Sequence, residues 1–497
     1  MKLLKTASAS VLALSLSLSA ALPAGINPAG ITVSAYGSVY DSSYAEEYIC
    51  ERLAALDDVI DISAYSLSLD ELQAAYNRIL LSRCDLFFVA PQLNYMRDPS
   101  GTVLAIKPVY YYSKDKIPLY REQLENAADS IIAEIPSDWD DVRKALFVHD
   151  RIAVTSSYNT NNQKRTAYEI LVNKNGVCFA YSMAYKYILE KLGIECISVY
   201  SPDMDHNWNM IKIGSQWYHV DVTFDDTVPN LNGLVNHEYF MVSDSAVSVG
   251  TYPHNGWQYG YRASDTRYDS FFWKDSCAQI IQYSDECWYY INNKKGYLCS
   301  YDPVSGRTTE LAKIGSGYRY SRIAVYGGVI FCNDKKTLYA YNTADGSFSK
   351  VKSYSLGTDK EIYGMYSDGK KIVIDVSSSF TDKNISTLTA LKLSEYQPAP
   401  AKSAALSAPT GLKASKSKGS VTLSWDKDSS ADGYIVYYVI KTEKGTKLKK
   451  LGITKSTSFL DPGLSKGTYV YAVRSYRIEN GKYVYSDVSE KIKVTIS

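Results

Sequence analysis

The sequence predicts a multidomain protein with a helical N-terminal segment, an α+β core, an all-β repeat region and a C-terminal β-sandwich. Its 497 residues exceed what one hydrophobic core usually holds, so several domains are expected. Apolar residues recur at helical spacing in residues 36–150, and short strands join a helix in residues 151–262. From about residue 265 onward the pattern is that of short alternating strands.

The net charge and the aromatic content limit the classes of partner. The formal net charge is +1, which argues against nucleic acid as the main partner. Tyrosine is unusually common, with 45 residues against 12 phenylalanines. Because tyrosine combines an apolar ring with a polar hydroxyl, this bias favours amphipathic strand surfaces and β-structure that faces a ligand.

Residues 1–35 have the pattern of an export signal. Lys2 and Lys5 precede the apolar run VLALSLSLSAALPAG, and the small residues from Val33 to Ala35 offer a cleavage site. The run is short and interrupted by serines, which disfavours an uncleaved anchor, and no later segment is apolar for long enough to cross a membrane. We therefore expect a secreted, extracellular protein, and association with the cell surface is left open.

The section before the core is predicted from its helical periodicity. DELQAAYNRILLSRC and LYREQLENAADSIIAEI repeat apolar residues every three and four positions. SDWDDVRKALFVHDRI predicts another helix, with Ser137 or Asp138 as its N-cap and acidic residues in its first turn. In residues 151–262, strands are predicted at ECISVYS, NWNMIKIG and QWYHVDVTF.

Residues 265–396 contain a weak, tyrosine-rich repeat. NKKGYLCSYDPVSG (293–306) aligns with NDKKTLYAYNTADG (333–346) at an offset of 40 residues, and a third copy is expected around LTALKLSEY. A period near 40 is typical of a four-stranded propeller blade. Three units do not fill the usual ring, so an open or partial propeller and a stacked sheet are both compatible with this propeller-like region.

The C-terminal part consists of a predicted linker, residues 397–409, and a predicted β-sandwich, residues 410–497. The order of PTGLKAS, VTLSWDK, GYIVYY and FLDPGLSKGTYVYAVRSY resembles a fibronectin type III domain, with Trp425 as a core candidate. Such domains space or bind and supply no catalytic residues. The sandwich holds 16 Lys and Arg against 8 Asp and Glu, about +8, so an anionic cell-wall or polysaccharide surface is a candidate partner. A solvated face without a partner is the alternative.

Cys178 stands where a glycine turn becomes a helix, in NGVCFAYSMAYKYILEKLG. Ser182, Lys186 and Glu190 form the helix's one polar stripe, so the helix is expected to be buried on its other sides. Unpaired amides at a helix start favour a thiolate and lower the pKa of a cysteine. Cys178 is therefore a candidate nucleophile, although a lone cysteine is more often a packing residue.

A thiolate nucleophile needs a histidine base, and the base needs an orienting group. His206 begins one predicted strand and Asp221 lies on the next, so a short hairpin would bring them together. A buried acid among aromatic and β-branched residues needs a hydrogen-bond partner. His219 shares the strand face of Asp221 and is the rival base. The other histidines, 149, 237 and 254, have no comparable context and are expected to be structural or solvated.

The motifs GVCFAYS, HNWNMIKI and WYHVDVTFDD together resemble the transglutaminase-like superfamily of papain-type thiol enzymes, especially its exported bacterial members. The resemblance covers about residues 130–255. It implies that Cys178 is the nucleophile, His206 the general base and acid, and Asp221 the group that orients His206. It further implies that Trp208 shields the pair from water and that the Cys178 amide helps to bind an oxyanion.

Two departures from the family pattern concern the substrate groove. Ala180 stands where glycine is common, and Phe224 stands where tryptophan is common. Neither removes a reacting group. Tyr168 and Tyr181 are candidates for lining the groove, with core packing as the alternative.

The resemblance implies an acyltransferase or hydrolase that attacks protein or peptide amides, with crosslinking, deamidation or hydrolysis as outcomes. A cysteine peptidase is the alternative within the same chemistry, and a non-catalytic surface adhesin is the alternative from another class. No cofactor or metal is expected, because no calcium loop and no CxxC pair is present. Disulfides between Cys277 and Cys287 and between Cys299 and Cys332 are compatible with the spacing.

Overall fold

The structure is a computed structural model that describes residues 26–27, 43–257, 261–283, 287–315, 321–344, 346–396, 406–428, 430–442, 445–479 and 482–497. Most of the predicted export signal (1–35) and most of the predicted linker (397–409) lie outside the described residues. Within the described part of the chain, no helix is long and apolar enough to span a membrane.

Among the described residues, the first section contains four α-helices and a small sheet. The helices are α1 Ser43–Ala54, α2 Leu69–Ser82, α3 Ile117–Ile132 and α4 Asp141–Thr155. The antiparallel sheet has the order β1-β3-β4-β2 and consists of β1 Ile26–Asn27, β2 Ile60–Asp61, β3 Val89–Arg97 and β4 Val103–Tyr110. The sequence did not predict this sheet.

The predicted N-cap of α4 is wrong. Asp140 caps the helix, because its carboxylate accepts a hydrogen bond from the backbone N–H of Arg143 at 2.8 Å. Ser137 and Asp138 precede it and stand outside the first turn. A run of three acids interrupted only by a tryptophan offers several caps of similar propensity, and sequence alone does not distinguish them.

The core section surrounds one buried helix with further short elements. Its helices are α5 Ala167–Leu171, α6 Cys178–Lys191, α7 Val222–Asp225 and α8 Asp244–Val247. Two short strands, β5 Ser157–Tyr158 and β6 Asn175–Gly176, pair in parallel before α6. An antiparallel sheet of order β10-β9-β8-β7 contains β7 Cys196–Ser201, β8 His206–Ile213, β9 Gln216–Val220 and β10 Phe240–Val242.

The predicted wet stripe of α6 is wrong, because the helix is buried on the sides of Ser182 and Lys186 as well. The Ser182 hydroxyl donates to the carbonyl of Trp208 at 3.1 Å and pairs with the Ser198 hydroxyl. The Lys186 ammonium donates to the Ser82 carbonyl at 2.9 Å. Only Glu190 of the three is exposed. Polar side chains can enter a core when the surrounding elements satisfy their hydrogen bonds.

The repeat region forms three consecutive antiparallel sheets, and the two aligned segments occupy matching strands. The first sheet contains β11 Ile281–Tyr283, β12 Cys287–Asn292, β13 Tyr297–Asp302 and β14 Arg307–Lys313. The second contains β15 Ile323–Tyr326, β16 Val329–Asp334, β17 Thr337–Asn342 and β18 Phe348–Ser353. The third contains β19 Glu361–Ser367, β20 Lys371–Ser377 and β21 Ser386–Lys392.

The C-terminal section consists of two facing antiparallel sheets. One contains β22 Lys413–Ser417, β23 Ser420–Ser424 and β26 Ser458–Pro462. The other contains β24 Gly433–Thr442, β25 Gly445–Thr454, β27 Gly467–Glu479, β28 Lys482–Val488 and β29 Ile492–Ile496. Trp425 is buried between them and packs edge-on against Tyr434.

These elements confirm the predicted fold class: the helices lie mostly before residue 250, together with two small antiparallel sheets, and the sheets of the repeat region and the sandwich follow. The largest hydrophobic cluster joins α6 to the start of the repeat region through Trp273 and Trp288.

The suggested bridge between Cys299 and Cys332 is wrong, since both are buried thiols. They pack in different hydrophobic clusters of neighbouring sheets.

Candidate active site

Cys178 is the first residue of α6 and is partly exposed. Val177 occupies the N-cap position, and its side chain accepts no hydrogen bond from the first amides of the helix. These amides lie beside the thiol without a side-chain cap. Glycine fits position 176 without displacing its neighbours, because a Cβ there would lie 3.0 Å from the Cβ of Ala180 and 3.3 Å from Cδ1 of Ile170. The glycine therefore allows the backbone before α6 to pack closely against Ala180 and Ile170.

His206 begins β8, the strand that lies beside α6, and its ring reaches the thiol. Burial by itself would raise the pKa of the Cys178 thiol, but the hydrogen bond and the charge of His206 outweigh it. The backbone N–H of Asn207 and the charge of Arg165 act in the same direction, so the pKa of the thiol lies below its usual value. This environment favours a thiolate.

Asp221 lies on the other side of the His206 ring, with its Oδ2 atom 2.6 Å from Nε2. Burial by itself would lower the pKa of His206, but the carboxylate outweighs it and raises that pKa to about 10. In turn, despite its burial, contact with His206 and His254 holds the pKa of Asp221 well below its usual range. Cys178 and His206 are therefore suited to a thiolate–imidazolium pair oriented by a carboxylate.

The hairpin of β8 and β9 forms as predicted, but Asp221 follows β9 instead of lying on it. Asp221 is the N-cap of α7, and its Oδ1 atom accepts from the backbone N–H groups of Thr223 at 2.9 Å and Phe224 at 3.1 Å. The two carboxylate oxygens thus have separate functions. One holds the helix start, and the other faces the imidazoles.

Aromatic rings enclose His206. Trp208 stacks on it with ring centroids 5.7 Å apart, and Phe224 lies at 4.3 Å. Trp208 is only 1% exposed, so it excludes water from that side of the ring. Phe224, at the position where the family pattern has tryptophan, makes the shorter ring contact with the histidine.

His219 is held away from the thiol by two hydrogen bonds. Its Nδ1 atom accepts from the indole N–H of Trp208 at 2.9 Å, and its Nε2 atom lies 2.9 Å from Oδ1 of Asp244. Both ring nitrogens are therefore engaged. The geometry favours a structural function for His219, which orients the tryptophan that covers His206.

His254 is a site residue that the sequence did not identify. It is fully buried, and its Nε2 atom lies 2.9 Å from Oδ2 of Asp221. Its ring also packs edge-on against Trp208 at 4.7 Å. His254 follows Asp221 by 33 residues without a regular hairpin between them, so no periodicity in the sequence indicates the contact.

A second buried network lies beneath α7. His149 contacts Asp150 at 2.9 Å and Asp225 at 3.1 Å, and His237 contacts Asp150 at 2.9 Å. Both histidines are buried, so the solvated alternative expected from the sequence is wrong for them. The possible ligand atoms of His149, Asp150 and His237 lie within 4.8 Å of one another, and so do those of His206, Asp221 and His254. Both groups are compact enough to hold a metal ion. In both clusters the donors already bond one another.

The two groove candidates are core residues. Tyr168 is buried and stacks on Phe87 with ring centroids 5.5 Å apart. Tyr181 is fully buried, and its hydroxyl donates to the Asp226 carboxylate. Tyr158 is exposed, and its partial burial together with the negative charge of Cys178 raises the pKa of its hydroxyl.

Comparison with known protein families gives a match around this site. The model of the Transglutaminase-like superfamily matches residues 127–222, which include Cys178, His206 and Asp221. A search of curated proteins found no relative with significant similarity.

Several solved structures are similar to parts of the chain. The FN3tt mutant is 16% identical, with 18% of this chain and 94% of that chain covered and a TM-score of 0.15. A candidate cysteine protease from Cytophaga hutchinsonii is 15% identical, with 26% and 61% covered and a TM-score of 0.17. The extracellular domain of BT4673, a candidate one-component system from B. thetaiotaomicron, is 10% identical, with 60% and 47% covered and a TM-score of 0.19.

The resemblance seen in the three sequence motifs is confirmed by the family match. Residues 127–222 form a transglutaminase-like domain.

Proposed function

We propose that the protein is an exported thiol enzyme that acts on protein or peptide amides through an acyl-enzyme. The observation that carries this proposal is the contact series from Cys178 at a helix start, through His206, to Asp221. A partly exposed thiol of lowered pKa, next to a buried imidazole and carboxylate, is the arrangement that nucleophilic catalysis by cysteine requires.

In the proposed first half-reaction, the Cys178 thiolate attacks the carbonyl carbon of an amide, and the carbonyl oxygen becomes an oxyanion. The backbone N–H of Cys178 and the helix start stabilise that charge. The C–N bond then breaks as the His206 imidazolium gives its proton to the leaving nitrogen. Ammonia or an amine leaves, and a thioester remains on Cys178.

In the second half-reaction, His206 accepts a proton from the attacking nucleophile. A lysine amine attacking the thioester forms an amide crosslink, whereas water forms a carboxylate. Either step releases the Cys178 thiolate. Asp221 holds the imidazole in the tautomer and orientation that both proton transfers need, as in catalytic triads in general.

We further propose that the basic C-terminal sandwich attaches the enzyme to an anionic cell-wall or polysaccharide surface. Its balance of 16 basic against 8 acidic residues supports this partner. The N-terminal run of residues 1–35 supports export.

The proposal is tested by incubating the protein with a glutamine-containing protein and a labelled primary amine, followed by mass spectrometry. Amine incorporation identifies a transferase, a deamidation shift identifies a side-chain hydrolase, and new termini identify a peptidase. Cys178→Ala should abolish whichever product forms. The matched control is Cys332→Ala, which removes a buried thiol of the second repeat sheet and should leave turnover unchanged. Turnover that survives in Cys178→Ala would refute the thiol mechanism, and a wild type that labels no substrate would favour the adhesin.

A further inference from the structure

The Asp221 carboxylate binds two imidazoles, although a thiol relay needs only one. Its Oδ2 atom lies 2.6 Å from Nε2 of His206 and 2.9 Å from Nε2 of His254. Neither His254 nor Asp221 is exposed at all. His254 contacts no part of the thiol in the proposed mechanism, so the second imidazole requires a separate explanation.

Both ring nitrogens of His254 face hydrogen-bond acceptors. Its Nδ1 atom lies 2.9 Å from the carbonyl oxygen of Tyr252, and its Nε2 atom faces the Asp221 carboxylate. Carbonyl and carboxylate oxygens only accept, so each nitrogen bonds its oxygen by donating a proton. A ring that makes both hydrogen bonds at once carries a proton on each nitrogen.

With a proton on each His254 nitrogen, the charges of Cys178, His206, Asp221 and His254 balance one another. The Cys178 thiolate and the Asp221 carboxylate each carry one negative charge, and the imidazolium rings of His206 and His254 each carry one positive charge. Without His254 the same cluster would have an excess negative charge. Uncompensated charge is costly in a site that excludes water.

We propose that His254 is a positioning residue whose cationic ring holds Asp221 and sets the pH range in which the Cys178–His206 pair exists. This inference rests on the proposed function. His254 shares the Asp221 carboxylate with His206, and its ring centroid lies 5.7 Å from that of His206. His206 therefore releases its proton more readily to a leaving group than it would with Asp221 to itself.

Other titratable groups facing the cluster have to be held constant in a test. The groups whose charges interact with Cys178, Asp221 or His254 include Tyr158, Arg165, Tyr200, Tyr239 and His219 with its partner Asp244. Asp205 lies one step further out, where its charge acts on Tyr158 and Tyr200. Replacing His254 leaves all of them in place. A change in the pH profile of Cys178 then reports the loss of the His254 charge.

The test measures the rate at which chloroacetamide alkylates Cys178 as a function of pH, by mass spectrometry of the Cys178 peptide. In wild type, the profile should show one inflection as the thiolate–imidazolium pair forms and a second as His206 loses its proton. In His254→Gln, both should move to higher pH, the second by on the order of one pH unit, because a positive charge near two anions and a cation has been removed.

His237→Gln is the matched control. His237 is equally buried, with Nδ1 facing the Ser276 carbonyl and Nε2 facing the Asp150 carboxylate, as in His254. His237 lies in the network of His149 and Asp150, away from Asp221, so its loss should leave both inflections of the alkylation profile at the same pH.

The outcomes separate the inference from the proposed function. A single inflection near the free-cysteine value of about 8.5 in wild type would refute the thiolate–imidazolium pair and the proposed function with it. Two inflections that stay in place in His254→Gln would overturn the inference alone. If His254→Gln does not fold, ¹⁵N histidine spectra of wild type decide, since a His254 ring with only one protonated nitrogen across the profile overturns the inference.

Discussion

His206 and His219 lie on neighbouring strands of one hairpin, and their hydrogen bonds give them different functions. His206 lies between the thiol and Asp221, whereas both nitrogens of His219 are engaged by Trp208 and Asp244.

We predict that His206→Ala abolishes turnover and slows alkylation of Cys178, because the thiolate loses its counter-charge. His219→Ala should reduce the rate less, through movement of Trp208. Steady-state rates of both variants test this, and a silent His219→Ala beside an active His206→Ala would assign the base to His219.

Asp221 is predicted to act on rate through the orientation of His206. Asp221→Asn keeps the volume of the side chain but favours the wrong imidazole tautomer. The equivalent change in a serine protease costs about 10⁴ in rate, and a thiol enzyme with a preformed ion pair should lose roughly 10² or more. The measurement is kcat/KM for amine incorporation, with circular dichroism as the folding control. A loss below tenfold would contradict the assigned orientation.

At the scale of elements, the network of His149 links α4 to α7, the short helix that Asp221 caps. Burial by itself would lower the pKa of His149, but Asp150 and Asp225 outweigh it and raise it to about 9. A histidine whose pKa is higher in the folded than in the unfolded protein stabilises the folded state. This contribution is complete below the unfolded pKa of about 6.5 and is lost as the pH rises through the folded pKa of about 9. We therefore predict that the destabilisation by His149→Gln shrinks between pH 6.5 and 9, as measured by thermal unfolding.

His219→Gln provides a control of opposite sign. Burial lowers the pKa of His219, and Asp244 offsets this only in part. Protonation on acidification therefore removes its contribution, so the destabilisation by His219→Gln should shrink as the pH falls. The same direction of change in both variants would contradict the electrostatic explanation.

At the scale of the whole molecule, the third repeat sheet holds the loop that follows α7. Asp375, which is 1% exposed, accepts hydrogen bonds from the backbone N–H of Asn232 at 2.7 Å and from its side-chain amide at 2.8 Å. The carbonyl of Asn232 in turn accepts from the backbone N–H of Met365 at 2.7 Å. This contact joins the repeat region to the loop that follows α7, the helix that Asp221 caps.

We predict that Asp375→Ala destabilises the protein by about 1 to 3 kcal/mol, because it leaves the Asn232 donors without their acceptor. The rate should fall as well, since the loop positions α7. Asp382→Ala, which removes an exposed acid of the same sheet region, should change neither quantity. Thermal unfolding and kcat/KM test both statements, and equal effects of the two variants would contradict the coupling.

The charge of the C-terminal sandwich leads to a second prediction at this scale. Binding to an anionic polysaccharide should weaken steeply between about 0.05 and 0.5 M salt, because exposed charges are screened within about 10 Å at 0.1 M. Lys447→Glu and Lys449→Glu remove two exposed charges of β25 and should weaken co-sedimentation, whereas Lys294→Glu in the first repeat sheet should not. Salt-independent attachment would exclude this mechanism.

Much of the candidate site could be predicted from sequence because its parts are local. Cys178 is marked by a glycine turn and a helix start, and a single hairpin brings His206 close to Asp221, which directly follows its second strand. The strands of the repeat and of the sandwich were likewise predictable from period-two alternation and turn residues. Each of these features depends on residues that are close together in the chain.

The rest depended on contacts between segments far apart in sequence. His254 and His149 reach Asp221 and Asp225 through loops and helices whose path no periodicity encodes. The burial of Ser182 and Lys186 depended on α2 and β7 supplying hydrogen bonds from outside the helix. The sequence by itself therefore determined which residues carry the proposed chemistry. The tertiary structure decided which buried charges surround them, since electrostatic partners are set by distance in space and not by spacing along the chain.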